Sequence, residues 1–503
     1  MVRGNLAYKY YEVEQEIDYA YLPEPPKYTS ISLYEIMSNN FRLEASAFNL
    51  DAKFAKEKVQ RNKYGAVSLW SENGLVSDCF YGDRNKRNYV CRNSEGAAGF
   101  LGSAEMLNIY PKPIKFLSAN IIDIGKFKVK EGTILISRSG TIGNVAFVNK
   151  TLSKYLISEH AIRIVANDNS GYIYAYFKTE TGKTIVQSNT FGAVVDQIEP
   201  MHFKNIIIPD APDELKKEIH DLVVASYDLR DQSNELIDKA EQILYEELQL
   251  KPIEELEIQY FDNSTDLRNY STKLNELGLR LDCSYHLPVT KTILNAIKST
   301  AKEITNIGDK RIASDIILPG RFKRVYVDKI NGVPFFGGKQ IHELNPSNIK
   351  YLSLEQHSGR INKQLFLKEK MIVVTCSGTI GKVNIIPKHW ENWTLNQHVM
   401  RIVPANDEIA GYIYCWLNSE FGYNLIKRHT YGAVVDEIDD RHLSNVEIPL
   451  LKNQSKQKTI NDFILEANAL RYQAYLKEQE AIRKMDNIID TTEEYNNIFN
   501  LKV

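Results

Sequence analysis

Cysteine is scarce in this 503-residue sequence: Cys79, Cys91, Cys283, Cys376 and Cys415 are all there is, and no CxxC pair occurs. An odd, scattered set argues against a disulfide framework. No apolar run approaches the roughly 20 residues that a bilayer span needs. The opening MVRGNLAYKYYEVEQEIDYAYLPEPP is acidic and tyrosine-rich where a secretory leader would carry an apolar stretch. Nor is there a GxxxxGK[ST] phosphate loop or an Asn/Asp-Pro-Pro-aromatic motif of an amino-methyltransferase; Glu24-Pro25-Pro26-Lys27 is only a partial echo. The hydrophobic fraction of 43% and charged fraction of 25% are those of a globular chain. The expectation is a cytoplasmic protein of two to four domains.

A net charge of −2 offers little to a polyanion, but the average hides a pattern. Residues 51–209 carry 21 Lys and Arg against 14 Asp and Glu, residues 210–279 carry 7 against 18, and residues 280–451 carry 22 against 17. Two basic blocks flank an acidic one. Basic blocks of this size attract phosphates, and an acidic solvated helix accounts for the middle block.

What is abundant is repetition. Arg42-Leu43-Glu44-Ala45-Ser46 returns as Arg280-Leu281-Asp282-Cys283-Ser284, and Ser139-Gly140-Thr141-Ile142-Gly143 returns as Ser377-Gly378-Thr379-Ile380-Gly381, both 238 residues later. His160 and Arg163-Ile164-Val165 match His398 and Arg401-Ile402-Val403 at the same offset. TFGAVVDQIEPMHFKNIIIP (190–209) aligns with TYGAVVDEIDDRHLSNVEIP (430–449), 11 of 20 positions being identical. This is a duplicated unit of about 240 residues, too long a period for a solenoid.

Each unit opens with a mixed strand and helix part. GTILISRSG and EKMIVVTCSG read as strands entering tight turns, NVAFV and KVNIIP as their hairpin partners, and HAIRIVA and HVMRIVP as a further strand. GYIYAYFKTETGKTIVQ and GYIYCWLNSEFGYNLIK have the length and apolar spacing of one helix each. A long helix closes each unit. Spacing of four and three places Leu215, Ile219, Leu222, Leu229, Leu236 and Ile243 on one seam, with Ile460, Phe463 and Leu470 on its counterpart. Large and small residues alternate along both seams, which suits helix–helix packing. The natural partner of each helix is the other, giving an antiparallel spacer about 50 Å long. Two globules at opposite ends of such a spacer match the two-fold symmetry of duplex DNA, with centres about one and a half turns apart.

The RLEAS/RLDCS openings, the SRSGTIGNV and CSGTIGKVN loops, LNQHVMRIV, and the GAVVD segment leading through Ile-Pro into a long helix, all twice over, resemble the specificity subunit of type I restriction–modification systems. The resemblance spans roughly residues 30–490. It implies an α+β chain of two homologous mixed α/β target-recognition domains, joined by two long antiparallel coiled-coil-like helices in a pseudo-two-fold arrangement. The expected organisation is an extension (1–29), target-recognition domain 1 (30–209), a spacer helix (210–250), an acidic connector (251–279), target-recognition domain 2 (280–451), a second spacer helix (452–490) and a tail (491–503). It further implies double-stranded DNA and two methyltransferase subunits as partners, with restriction–translocation subunits as an optional addition. S-adenosylmethionine and ATP with magnesium would belong to those partners; this chain would bind no cofactor and catalyse nothing. Where the family follows its closing Ile-Pro with a Pro-Pro-Leu-x-x-Gln-like helix start, this chain has Pro209-Asp210-Ala211-Pro212 and Pro449-Leu450-Leu451-Lys452.

Candidate DNA contacts follow from charge and turn chemistry. In the SGTIG loops the glycines permit a tight turn, and Ser139, Thr141, Ser377 and Thr379 can donate to phosphate oxygens. Arg138 and Lys382 flank these loops. Where the two copies differ stand the clusters Arg84, Lys86, Arg87 and Arg92, and Arg321, Lys323 and Arg324, and arginine bidentate to guanine is the commonest specific contact. Lys339, Lys427 and Arg428 complete the set. The bland reading of each is a solvated surface loop or a structural turn. His160, His398, His202 and His442 recur without a metal-ligand neighbour and read as structural. Two alternatives stay open: a scaffold that assembles a defence complex without reading DNA, and a nuclease built on Asp210, Glu214 and Lys216.

Overall fold

The computed structural model describes residues 30–38, 41, 48–84, 86–118, 124–190, 197–253, 255, 270–432 and 434–490. The Arg42–Ser46 opening, the first Gly-Ala-Val-Val-Asp segment, the extension 1–29, most of the acidic connector and the tail lie outside the described residues.

In the first half, the strands are β1 (Ala66–Ser68), β2 (Val76–Phe80), β3 (Tyr89–Val90), β4 (Ala97–Leu101), β5 (Lys115–Ser118), β6 (Ile134–Ser137), β7 (Val145–Phe147), β8 (Leu156–Ile157), β9 (Ala161–Ala166) and β10 (Ile207–Pro209). They form sheets of order β2-β9-β6-β7 and β3-β5-β4-β8 and a β1-β10 pair. Every pairing is antiparallel except β4 with β8. The second half has β11 (Glu303–Asn306), β12 (Ala313–Ile317), β13 (Tyr326–Val327), β14 (Gly332–Phe336), β15 (Lys350–Ser353), β16 (Ile372–Thr375), β17 (Val383–Ile385), β18 (Thr394–Leu395), β19 (Val399–Pro404) and β20 (Glu447–Leu450). Their orders, β12-β19-β16-β17, β13-β15-β14-β18 and β11-β20, repeat the first half strand for strand.

The inner strands β6 and β16 of the β2-β9-β6-β7 and β12-β19-β16-β17 sheets are buried throughout because both of their faces are covered. Successive side chains on a strand point to opposite faces. Ile134 and Ile136 of β6 therefore join the core under the helix Ser170–Lys178, while Leu135 joins a smaller cluster with Met106 and Ile157. Ile372, Val374 and Val373 of β16 divide in the same way.

The segment following β9 is two helices, Ser170–Lys178 and Glu180–Ser188, where the apolar spacing predicts one. Thr179 between them is extended (φ −69°, ψ 156°), and its hydroxyl accepts from the Gly182 amide at 3.0 Å. A hydroxyl that caps a new helix start offers the backbone an alternative to continuing the old one. Gly182 is needed there, since a Cβ would strike the Tyr176 carbonyl. Ser419 and Gly422 break Asp407–Asn418 from Glu420–Lys427 identically.

Two helices of 36 residues, Asp213–Leu248 and Gln454–Ile489, pack antiparallel. Lys484 meets Glu218 at 2.9 Å, the Ser226 hydroxyl donates to the Ala474 carbonyl at 2.7 Å, and Arg471 donates to Ser233 at 3.0 Å. The small members of each seam, Ser226, Ser233, Ala240, Ala467, Ala474 and Ala481, are all buried. Of the large members, Ile219 and Ile460 are buried. Leu222 packs on the first globule's core, Leu236, Ile243 and Phe463 pack on the second's, and Leu229 packs on a small cluster at the centre. Leu215 also meets the first core, and Leu470 is half-buried. Both long helices contribute to both globular cores: Ile219 and Met485 at one end, Leu244 and Ile460 at the other.

At the middle of the molecule the halves touch directly. Asn108 and Glu343 form an antiparallel bridge, and the Ile109 amide donates to the His342 carbonyl at 2.9 Å. Asn108 and Glu343 occupy corresponding positions after β4 and β14, so the bridge sits on the pseudo-two-fold axis. Ile109 and Leu344 pack there on Ala474.

Candidate nucleic-acid interface

The second half presents a basic, aromatic groove between its two sheets. The floor is the β13-β15-β14 surface, where Lys350 stands over the Tyr326 ring (4.8 Å) and Arg324 near the Phe335 ring (5.5 Å). The wall is the SGTIG turn between β16 and β17, contributing Ser377, Gly378, Thr379 and Lys382. Lys339, on the turn after β14, closes the end. Arg324, Lys339, Lys350 and Lys382 thus converge, and among the described residues no carboxylate lines the groove. Arg324 is held by the Gln397 side-chain carbonyl at 2.8 Å.

The turn has the geometry that exposes backbone amides. Gly378 (φ 73°) and Gly381 (φ 83°) are left-handed, as are Gly140 (φ 76°) and Gly143 (φ 86°), a conformation glycine adopts freely. Thr375 accepts from the Lys382 amide at 2.9 Å and donates to the Thr379 carbonyl at 2.6 Å, which fixes the loop from inside. Ser137 does the same in the first half. Opposite the turn, buried Arg401 donates to the Val399 and Asn396 carbonyls (2.5 and 3.3 Å), holding the bend that carries Gln397 and His398. Arg163 grips Ser158 and Ala161 around Glu159 and His160. Burial pushes Arg401 down to about 9 and Arg163 to about 10. Burial, then Arg324 and Arg321, lower the His398 pKa, favouring the neutral imidazole.

The corresponding positions of the first half read differently. Arg87 lies over the Phe100 ring at 5.0 Å, as Arg324 lies over Phe335, but its partner is the Glu159 carboxylate, at 2.6 and 2.7 Å. Burial raises the Glu159 pKa, and the Arg87 hydrogen bonds more than offset it, so the group stays ionised. Lys115 sits over Tyr89 as Lys350 does over Tyr326. Glu105 accepts from the Gly102 amide where Gln340 accepts from that of Gly337. Lys339 and Lys382 correspond to Ala104 and Asn144.

The remaining candidates are dispersed. Arg84, Lys86 and Lys323 are exposed, and Arg321, 81% exposed, meets Glu437 at 3.3 Å. Thr141 is exposed, and the Ser139 hydroxyl bonds His160 at 2.7 Å. Lys427 is exposed beside the Tyr423 ring, and Arg428 is paired with Glu447 at 2.6 Å. Arg138, read as flanking the turn, is 2% exposed: it stacks on Tyr81 and is bound by Glu199 and the Ile198 carbonyl, so its charge is satisfied inside the fold. Arg92 pairs with Glu420 across the junction of the halves. Lys216 ties Asp210 at 2.7 Å at the helix start, and among the described residues no group of three metal-capable side chains exists. Among them, too, no helix is long and apolar enough to cross a membrane. Sequence reading missed Lys350 and Tyr326, and also Gln397 and Glu159. The repeated Tyr–Lys pairs of β3–β5 and β13–β15 were the available signal.

The sequence model of the type I restriction modification DNA specificity domain matches residues 76–242 and 332–468, one segment over each half. The chain belongs to that family. Recognition of DNA is thus the setting for this specificity chain. Similar solved structures include the type I restriction-modification system S subunit from M. genitalium, at 11% identity, covering 85% of this chain and 96% of that one with a TM-score of 0.32. The HsdS subunit from Thermoanaerobacter tengcongensis is similar at 15% identity, with 84% and 95% covered and a TM-score of 0.25. No curated protein matches the specificity chain.

Proposed function

We propose that this chain reads a bipartite, gapped site on duplex DNA and brings two methyltransferase subunits to it, catalysing no step itself. The observation that carries the reading is the duplicated fold on an antiparallel helix pair, with a basic groove in one half and its counterpart in the other. Duplex DNA offers two major-groove faces related by a two-fold axis, and paired readers commonly match them. The halves differ in groove residues, so the two words differ, and a helix pair of about 54 Å fixes the gap. Recognition domains over 30–209 and 280–451 would take the words, and the outer faces of the long helices would seat the methyltransferases. S-adenosylmethionine would bind those partners, and a restriction–translocation subunit with its ATP and magnesium would be an optional addition joining through them.

Methylation-aware sequencing of DNA from cells co-expressing this chain with a cognate methyltransferase tests this against the methyltransferase alone. A two-part modified motif with a fixed gap, present only with the chain, is expected. A continuous motif, or none although the complex purifies, would overturn it.

A further inference from the structure

The two halves share every strand but not the charge of their grooves. Arg324, Lys339, Lys350 and Lys382 stand in the second groove without a carboxylate among its described lining residues. At the same positions the first half has Arg87, Ala104, Lys115 and Asn144, together with Glu105 and Glu159 where the second has Gln340 and Gln397. Four positive charges therefore face a set that sums to none. The rim tilts the other way by a single charge, since Arg321 meets Glu437 and the first half has Gln197 at the position of Glu437. It does not reverse the balance. A cation facing solvent in a concave wall attracts phosphate whatever the sequence, whereas an arginine clamped by a buried carboxylate adds no such attraction.

We propose that the halves divide the work of binding: the second is a phosphate anchor, and the first is a discriminating half in which Glu159 and Glu105 cancel the sequence-independent pull of Arg87 and Lys115. This rests on the DNA-reading function proposed above. Engagement of the first half then depends on hydrogen bonds to base edges, where a carboxylate accepts from the amino group of cytosine and a glutamine pairs with adenine.

The test is the salt dependence of binding by the full chain, alone and with its co-expressed methyltransferase, to a short mixed-sequence duplex. Glu159→Gln with Glu105→Gln copies side chains that the second half already holds in the same contacts. It should steepen the slope of log affinity against log salt by about 1–2, at roughly 0.9 per phosphate contact. Lys350→Gln with Lys382→Gln should flatten it by a similar amount. Should Glu159→Gln lower the unfolding midpoint, Glu105→Gln alone, at an exposed position, carries the same reading at about half the size. Unchanged slopes in folded glutamate variants of a chain that binds duplex would overturn the division of work and leave DNA reading intact. A wild-type chain that binds no duplex in either form would overturn both.

Discussion

The two halves of this molecule hold corresponding arginines in opposite states: paired with a carboxylate in the first half, and with neutral groups in the second. In the grooves the second half is bare, with Arg324 held by an amide, and the first is neutralised, with Arg87 held by Glu159. Inside the helix pair the same pattern returns. Buried Arg230 of the first long helix faces Glu478, itself 1% exposed, whereas Arg471, at the corresponding position of the second, has among the described residues the neutral Ser233 and Asn384 as side-chain partners. Strand order tolerated none of this variation, while charge pairing drifted freely at positions that keep the same neighbours. The fold is set by apolar pattern and turn geometry, and compensation is a local choice laid on top.

That contrast can be broken most severely in the helix pair. Glu478→Gln makes Arg230 resemble Arg471 and should cost roughly 3–5 kcal/mol, the loss expected when a buried charge loses its partner, read by denaturant unfolding. The pH dependence follows. Burial raises the Glu478 pKa, but Lys178 and Arg230 more than reverse this and hold it at about 2. A carboxylate depressed in the folded state stabilises above its unfolded value and loses that contribution as pH falls through the folded one. The native protein should therefore lose stability between about pH 4.5 and 2 more steeply than Glu478→Gln.

A smaller effect should come from the grooves. Removing Lys339, Lys350 and Lys382 together should flatten the salt slope by about 2–3; taken singly, Lys350→Gln should flatten it by about 0.9, and Lys115→Gln at the corresponding position by well under half of that. Equal losses would erase the distinction. Conversely, Ala104→Lys with Asn144→Lys should steepen it and sharpen the contrast. The smallest effect should be shared: Gly140→Ala and Gly378→Ala meet no neighbour within 4 Å, so each pays only for its positive φ, about 1 kcal/mol. A difference between the two in thermal unfolding would show that one turn is constrained by more than its backbone.

The duplicated architecture was legible because periodicity survives where identity does not. Ile134–Ser137 and Ile372–Thr375 announce buried central strands, and the small residues at heptad spacing announce a close helix pair. The helix break at Thr179 and Ser419 was hidden, because apolar spacing runs on through a residue whose hydroxyl caps the next turn. Arg138 misled for a related reason: a charge beside an exposed turn says nothing of the ring and carboxylate waiting beneath it. Segment charge misled as well. Residues 51–209 are the more basic block, yet their groove is the neutral one, since a count does not say which cation faces Glu159. Lys350 and Glu159 become visible only when strand pairing brings residues 72 apart, Arg87 and Glu159, into contact.

The end of the second long helix returns to the first globule: Ile488 and Ile489 join the core that holds Ala55 and Val59, and Asp490 pairs with Lys58. Topologically the path from the helix Leu50–Gln60 to Asp490 is closer to a ring than to a line, since its last residues lie against its first helical segment. A circularly permuted chain, opened in the acidic connector between Leu250 and Tyr270 and linked from Asp490 to Asn49, would keep the contacts of both cores. Which half comes first in the gene is then a matter of ancestry, and the folded object has no need of it.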